Sequence, residues 1–253
     1  MADRDEIIGF LDDLLDAGGF DDYGPNGLQV PGAAAVTTVA TGVSAHLELF
    51  AAAHAAGAEL VLAHHGLFWE FHPRALSPQM AERLKLLIAN GISLAAYHLP
   101  LDAHPEVGNN ALIADGLGCA SREPFAEHRG RTIGFAGRFP DEGIPADELV
   151  ARVAGLTGRQ PLVQGRGPAQ VRTIGIVSGG AASDVHTAIA AGLDAFLTGE
   201  PAEHAMADAT EGGIHFLAAG HYATETFGIR RLGDLVAERF GVRHVALDIP
   251  NPV

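Results

Sequence analysis

Residues 59–69 read ELVLAHHGLFW. Leu60, Val61, Leu62 and Ala63 form a short apolar run, the composition of a strand buried on both faces. The run then meets His64, His65 and Gly66. Adjacent residues on a regular strand point to opposite faces. Two neighbouring imidazoles therefore converge only if the strand ends at them. Gly66 suits such an ending, because glycine accepts backbone angles that other residues resist. In α/β sheets, sites form beyond the carboxyl ends of the strands. The stretch predicts a buried strand and marks where its chemistry should lie.

Working outward, helices and strands alternate. Upstream, residues 36–44 (VTTVATGVS) read as a strand, and residues 45–57 (AHLELFAAAHAAG) as a helix closed by Gly57. Downstream, Ser77 caps and Pro78 opens a helix that Gly91 ends. Residues 92–102 (ISLAAYHLPLD) predict a strand running into a loop, and residues 108–118 another helix. A first helix over Asp5–Ala17 and a turn-rich FDDYGPNGLQV precede them. From Arg131 the alternation repeats, with strands in RTIGFAGRFP, VRTIGIVSGG, DAFLTGEP, IHFLAAGHY and the closing VRHVALDIP. Helices lie between them, the last spanning ATETFGIRRLGDLVAERFG. This predicts an α/β fold of two similar, closely packed lobes, with mainly parallel or mixed sheets and helices on their faces. The expected boundary lies near Arg122–Pro124, giving lobes of residues 1–124 and 125–253, with the C-terminal strand interlinked with the first lobe.

Composition narrows the function. Apolar residues make up 47% and charged residues 19% of the chain, which fits a folded globular protein. No long apolar run predicts a membrane span. The acidic start MADRDEIIGFLDDLLDAGG lacks the basic region and apolar segment of a secretory leader, so the expected location is cytoplasmic. The single cysteine, Cys119, excludes an intramolecular disulfide and a thiolate-rich metal site within one chain. A formal charge of −15 argues against a nucleic-acid-binding surface.

Ligand-type side chains gather at strand ends: His64 and His65, His98 with Asp102, Glu200, and His221 with Glu225. His221 and Glu225 are four apart and share a face if HYATE forms a helical turn. Asp102 is a short carboxylate on a turn, suited to bridging two cations. His64, His65, Asp102, His221 and Glu225 offer three imidazoles and two carboxylates. That donor mix suits Zn, Fe, Mn, Co or Ni. Five protein ligands underfill two metals, leaving positions for water or substrate.

Several segments carry a resemblance: DDYGPNGLQV, GVSAH, LVLAHHGLFW, YHLPLDAHPEVGNNALIADGLG, SGGAASDV, GLDAFLTGE, AAGHYATETFGIRRL and DIPNPV. In these the chain resembles the short form of the Nif-three-like dinuclear-metal family, whose members are named GTP cyclohydrolase 1 type 2 homologues. The resemblance implies a toroidal homohexamer and two divalent metal ions per chain, held by His64, His65, Asp102, His221 and Glu225. It suggests His98, Glu200 and His204 as residues supporting the ligands. The implied activity is hydrolysis of a nucleotide or related phosphate compound, with Glu200 a candidate general base. The alternative is a non-enzymatic role in metal binding or delivery, or as a protein-interaction scaffold. No glycine-rich phosphate loop ending in Gly-Lys-Ser/Thr is present.

Overall fold

The computed structural model describes residues 1–253. The chain opens with β1 (Ala2–Asp3), α1 (Arg4–Leu15), β2 (Gly27–Val30), β3 (Ala35–Val36) and β4 (Thr38–Ser44). Then come α2 (Leu47–Ala55), β5 (Leu60–His65), α3 (Pro78–Ala89), β6 (Ser93–Ala96), α4 (Leu99–Ala103) and α5 (Asn109–Leu117). A hairpin of β7 (Ser121–His128) and β8 (Arg131–Arg138) leads to β9 (Ile144–Pro145), α6 (Ala146–Thr157), β10 (Leu162–Gly165), β11 (Gln170–Val171) and β12 (Thr173–Ile176). The remainder is α7 (Val185–Ala190), β13 (Ala195–Thr198), α8 (Glu203–Glu211), β14 (His215–Ala218), α9 (His221–Thr224), α10 (Thr226–Phe240) and β15 (Arg243–Ala246).

Two compact units emerge. One comprises Met1–Leu101 with Gly228–Ile249, the other Asp102–Phe227 with Pro250–Val253. The division differs from the expected boundary at residue 124, which falls inside β7. That strand pairs along β8, with Arg122 opposite Gly137 and Pro124 opposite Phe135, so a cut there would split a hairpin. The closing strand β15 runs parallel to β4 in the first unit, from Arg243 beside Thr38 to Ala246 beside Thr41.

The first unit's sheet has the order β15-β4-β5-β6-β2. Its first four strands are parallel and β2 is an antiparallel edge. Val61, Ala63 and Leu94 from the strands pack with Leu49, Phe50 and Ala53 of α2 and Leu87 of α3. Ser77 Oγ accepts a hydrogen bond from the Met80 N–H at 3.1 Å, the expected start of α3.

The second unit's sheet has the order β10-β14-β13-β12-β8-β7. β12, β13 and β14 are parallel, and the flanking strands are antiparallel. Ile174, Ile176, Leu197 and Leu217 pack with Ile113, Leu117, Leu149 and Val153 from α5 and α6. The architecture is mixed α/β, as the alternation predicts. Strands β2, β7 and β10 do not show in the alternation, and each lies at a sheet edge. β7 carries Pro124 and a largely exposed face, so its sequence lacks the apolar pattern of a central strand. No helix is long and apolar enough to cross a membrane.

Candidate metal centre

In the first unit the carboxyl ends of β4, β5 and β6 lie side by side. The Ala45 N–H donates to His65 O at 2.8 Å and the Tyr97 N–H to Ala63 O at 3.0 Å. Three imidazoles meet there. The His64 and His65 ring centroids are 4.8 Å apart, and His98 lies 5.2 Å from His64 and 5.6 Å from His65. One ring nitrogen from each of the three lies within 4.8 Å of the others.

This arrangement corrects the expected ending. β5 continues through His65, which pairs with Ser44. His65 is the strand's last residue, so no further rung fixes its direction. Gly66 does not adopt a left-handed conformation. Its missing side chain instead makes room for Gln29, whose Nε2 would lie 2.2 Å from a Cβ at that position. Gln29 Oε1 in turn accepts from the Leu67 N–H at 2.8 Å.

His64 is fully buried, and its Nδ1 lies 2.9 Å from the Tyr97 carbonyl. A carbonyl only accepts, so Nδ1 carries the proton and Nε2 the lone pair. His65 Nδ1 lies 3.1 Å from Ser44 Oγ. His98 Nδ1 donates to Asp22 Oδ1 at 2.7 Å, while the other Asp22 oxygen accepts from the Leu99 N–H at 2.9 Å. Burial pushes the Asp22 carboxyl up, but His98, Asn26 and the Leu99 amide outweigh it and hold it below the usual range. The segment DDYGPNG, read from sequence only as a turn, is thus the clamp that sets His98.

In the second unit the ends of β12, β13 and β14 converge likewise. The Gly199 and Glu200 N–H groups both donate to Gly179 O, at 2.9 and 3.0 Å, and the Gly220 N–H donates to Gly199 O at 2.8 Å. These loops present Glu200, His221 and Glu225. His221 Nδ1 lies 2.5 Å from Glu200 Oε1, and its Nε2 lies 3.2 Å from Glu225 Oε2. HYATE does form a turn, with His221 opening α9 and Glu225 following it. Burial lowers the proton affinity of His221, but the hydrogen bonds and charges of Glu225 and Glu200 win and raise its pKa to about 9.

Asp102 sits in the one-turn helix α4, not on the expected turn, and is buried. Its Oδ1 accepts from Asn109 Nδ2 at 2.9 Å and from Ser178 Oγ at 3.1 Å. Asn109 and Ser178 belong to the GNN and SGG segments, and sequence reading gave neither a role at the site. His204 has other company: its Nδ1 lies 2.9 Å from Asp208 Oδ2, and its ring stacks on His186. It makes no hydrogen bond to the His221 group, because α8 turns it toward α7.

The donor set fits a divalent cation. It is imidazole nitrogen and carboxylate oxygen without sulfur, as borderline first-row metals prefer. Space is kept beside it. Gly179 has φ +67°, and a Cβ there would lie 2.3 Å from Glu225 Oε1 and 3.1 Å from His221 Nε2.

Comparison with known proteins agrees with the fold. The family model described as Duf34/NIF3 (NGG1p interacting factor 3) matches residues 2–252. A Pseudomonas aeruginosa protein named GTP cyclohydrolase 1 type 2 homolog is 44% identical over 246 residues, covering 97% of each chain. The solved structure of a protein called ybgI, described as of unknown function, superposes with a TM-score of 0.94 at 38% identity, covering 100% of both chains. A solved structure from Thermus thermophilus gives a TM-score of 0.90 at 38% identity, again over 100% of both chains. With a match along nearly its whole length, the chain belongs to the Duf34/NIF3 family.

Proposed function

We propose that this chain binds two divalent metal ions through His64, His65, Asp102, His221 and Glu225, and that it hydrolyses a nucleotide or related phosphate compound. The observation that carries the reading is the preparation of ligand atoms at the ends of parallel strands in each unit. Tyr97 O fixes the His64 tautomer, Asn109 and Ser178 hold the Asp102 carboxylate, and Glu200 holds His221. Such partners orient ligands and raise their basicity. Bound cations would polarise the bond to be cleaved and lower the pKa of a bound water.

The chain's own residues supply the rest. Glu200 Oε1 is occupied with His221, so Glu200 first positions that imidazole. Its carboxylate is 39% exposed and is the group we assign to accept a proton from an attacking water. Beside the three imidazoles of the first unit lies a cavity of about 460 Å³, lined by Phe68, Trp69, His72, Arg74, Leu76 and Arg83 among others. The Trp69 ring lies 5.1 Å from His98 and 5.9 Å from His65. Aromatic faces and two guanidiniums suit a flat ring that carries an anionic group. The name GTP cyclohydrolase 1 type 2 homolog belongs to the relatives and is consistent with this class. We further propose the homohexameric assembly implied by the family resemblance.

The test is a hydrolysis screen on nucleotides and phosphoesters with protein whose metal content is measured in the same sample. Turnover lost in Glu225→Ala together with metal supports the hydrolase. Two metals per chain without turnover on any compound would overturn it and favour metal binding or delivery.

A further inference from the structure

A second group of ligand-type side chains lies on α7 and α8, and it shares no residue with the set above. His186 is on α7, and His204 and Asp208 are four apart on α8. Spacing of four puts two helical residues on one face. The helices are fixed beneath by buried residues, Val185 and Ala188 on one and Ala205 and Ala209 on the other. Residues 204 and 208 precede Ala205 and Ala209, so the ligand stripe runs beside the buried stripe and opens to solvent.

The three side chains converge. Asp208 Oδ2 lies 2.9 Å from His204 Nδ1 and 3.4 Å from His186 Nε2. The two imidazole rings stack, with centroids 5.9 Å apart and planes 7° from parallel. One ligand atom from each residue lies within 4.8 Å of the others. Metal–nitrogen and metal–oxygen bonds of about 2.0–2.1 Å at tetrahedral angles place donors roughly 3.3–3.5 Å apart. The Asp208–His186 spacing already has that value, and the side chains that must adjust are exposed or partly so.

We propose that His186, His204 and Asp208 form a surface site for a borderline divalent cation, with Zn2+ as its probe. Binding at His204 Nδ1 displaces to solvent the proton through which that nitrogen meets the Asp208 carboxylate. Two imidazoles and one carboxylate leave a fourth position to water, the pattern of an open site, not a closed structural one. The excess of acidic residues across the chain favours approach of a cation.

The experiment is a Zn2+ titration of the untagged chain against a competing chromophoric chelator. It compares the parent with Asp208→Asn and with a double variant, His186→Ala and His204→Ala. Whatever zinc other residues hold is common to all three and cancels in the difference. The double variant should bind one zinc fewer per chain, and Asp208→Asn should weaken that equivalent at least about tenfold. Zinc should also shift the His186 and His204 imidazole NMR signals of the parent as that equivalent binds, a readout that needs no substitution. Equal zinc count and affinity in parent and double variant would overturn the proposal, as would imidazole signals that stay in place throughout the titration.

Discussion

Glu200 Oε1 stands 2.5 Å from His221 Nδ1, so a carboxylate at the end of β13 holds an imidazole at the end of β14. Glu225 approaches the other ring nitrogen of the same imidazole at 3.2 Å. Glu200→Gln keeps the side-chain shape and removes the charge. Metal affinity, measured by chelator competition, should fall about 10–100-fold, the usual loss when a ligand's supporting carboxylate goes. In metal-stripped protein the His221 pKa should drop from about 9, because one of its two charged partners is gone. Unchanged affinity would remove Glu200 from its positioning role.

Gly179 matters for space and for backbone angle. A Cβ there meets Glu225 Oε1 at 2.3 Å, and the residue's φ of +67° disfavours other side chains. Gly179→Ala should cost about 1–2 kcal/mol of stability from the left-handed backbone alone. It should also lower metal content by displacing Glu225. Circular dichroism with elemental analysis separates the two effects, and full metal content in a folded variant would refute the second.

Asn110 is fully buried and ties three elements of the second unit. Its Nδ2 donates to Ile133 O at 2.7 Å, and its Oδ1 accepts from the Ser178 N–H at 2.7 Å. Nδ2 also donates to Asp102 O at 3.3 Å, and Asn110→Ala leaves these buried backbone partners without it, at about 1–3 kcal/mol each. Chemical denaturation should show a loss of at least about 2 kcal/mol. A smaller loss would mean that water replaces the amide.

The strand ends were largely legible in the sequence, and their surroundings were not. Short apolar runs punctuated by glycine marked β5, β12, β13 and β14, and ligand-type residues marked the carboxyl ends of β5, β6, β13 and β14. Capping chemistry located α3, because Ser77, Pro78 and Gly91 act on their own neighbours. The residues that hold His98 and Asp102 were illegible for the opposite reason. Asp22 reaches His98 across 76 residues and Ser178 reaches Asp102 across 76, and no local pattern encodes either bond. Edge strands such as β7 bury only part of their surface, so their sequences carry weak periodicity. The unit boundary was missed because α10 and β15 return to the first unit after the second has been built.

Glu59 gives a pH-dependent test away from the candidate ligands. Its Oε2 accepts from the Thr37 and Thr38 N–H groups at 3.0 and 2.9 Å, and its Oε1 from Thr37 Oγ1 at 2.8 Å. Burial pushes this carboxyl up, but the hydrogen bonds win and hold it below its ordinary value. A depressed carboxyl contributes stability that is full above its unfolded pKa and disappears as pH falls through the lower folded value. Glu59→Gln should therefore lower Tm at pH 7 and have little effect once both states are protonated. An equal loss of Tm at pH 7 and at strongly acidic pH would contradict this.

The central claim is that His64, His65, Asp102, His221 and Glu225 hold metal. Elemental analysis of protein purified without added metal or chelator tests it most directly, with His65→Ala and Glu225→Ala prepared in parallel. The account predicts about two divalent ions per chain in the parent at these five ligands, before any zinc is added to load the α7–α8 site. It predicts loss of at least one in each folded variant. Equal metal content in the parent and both variants would contradict it.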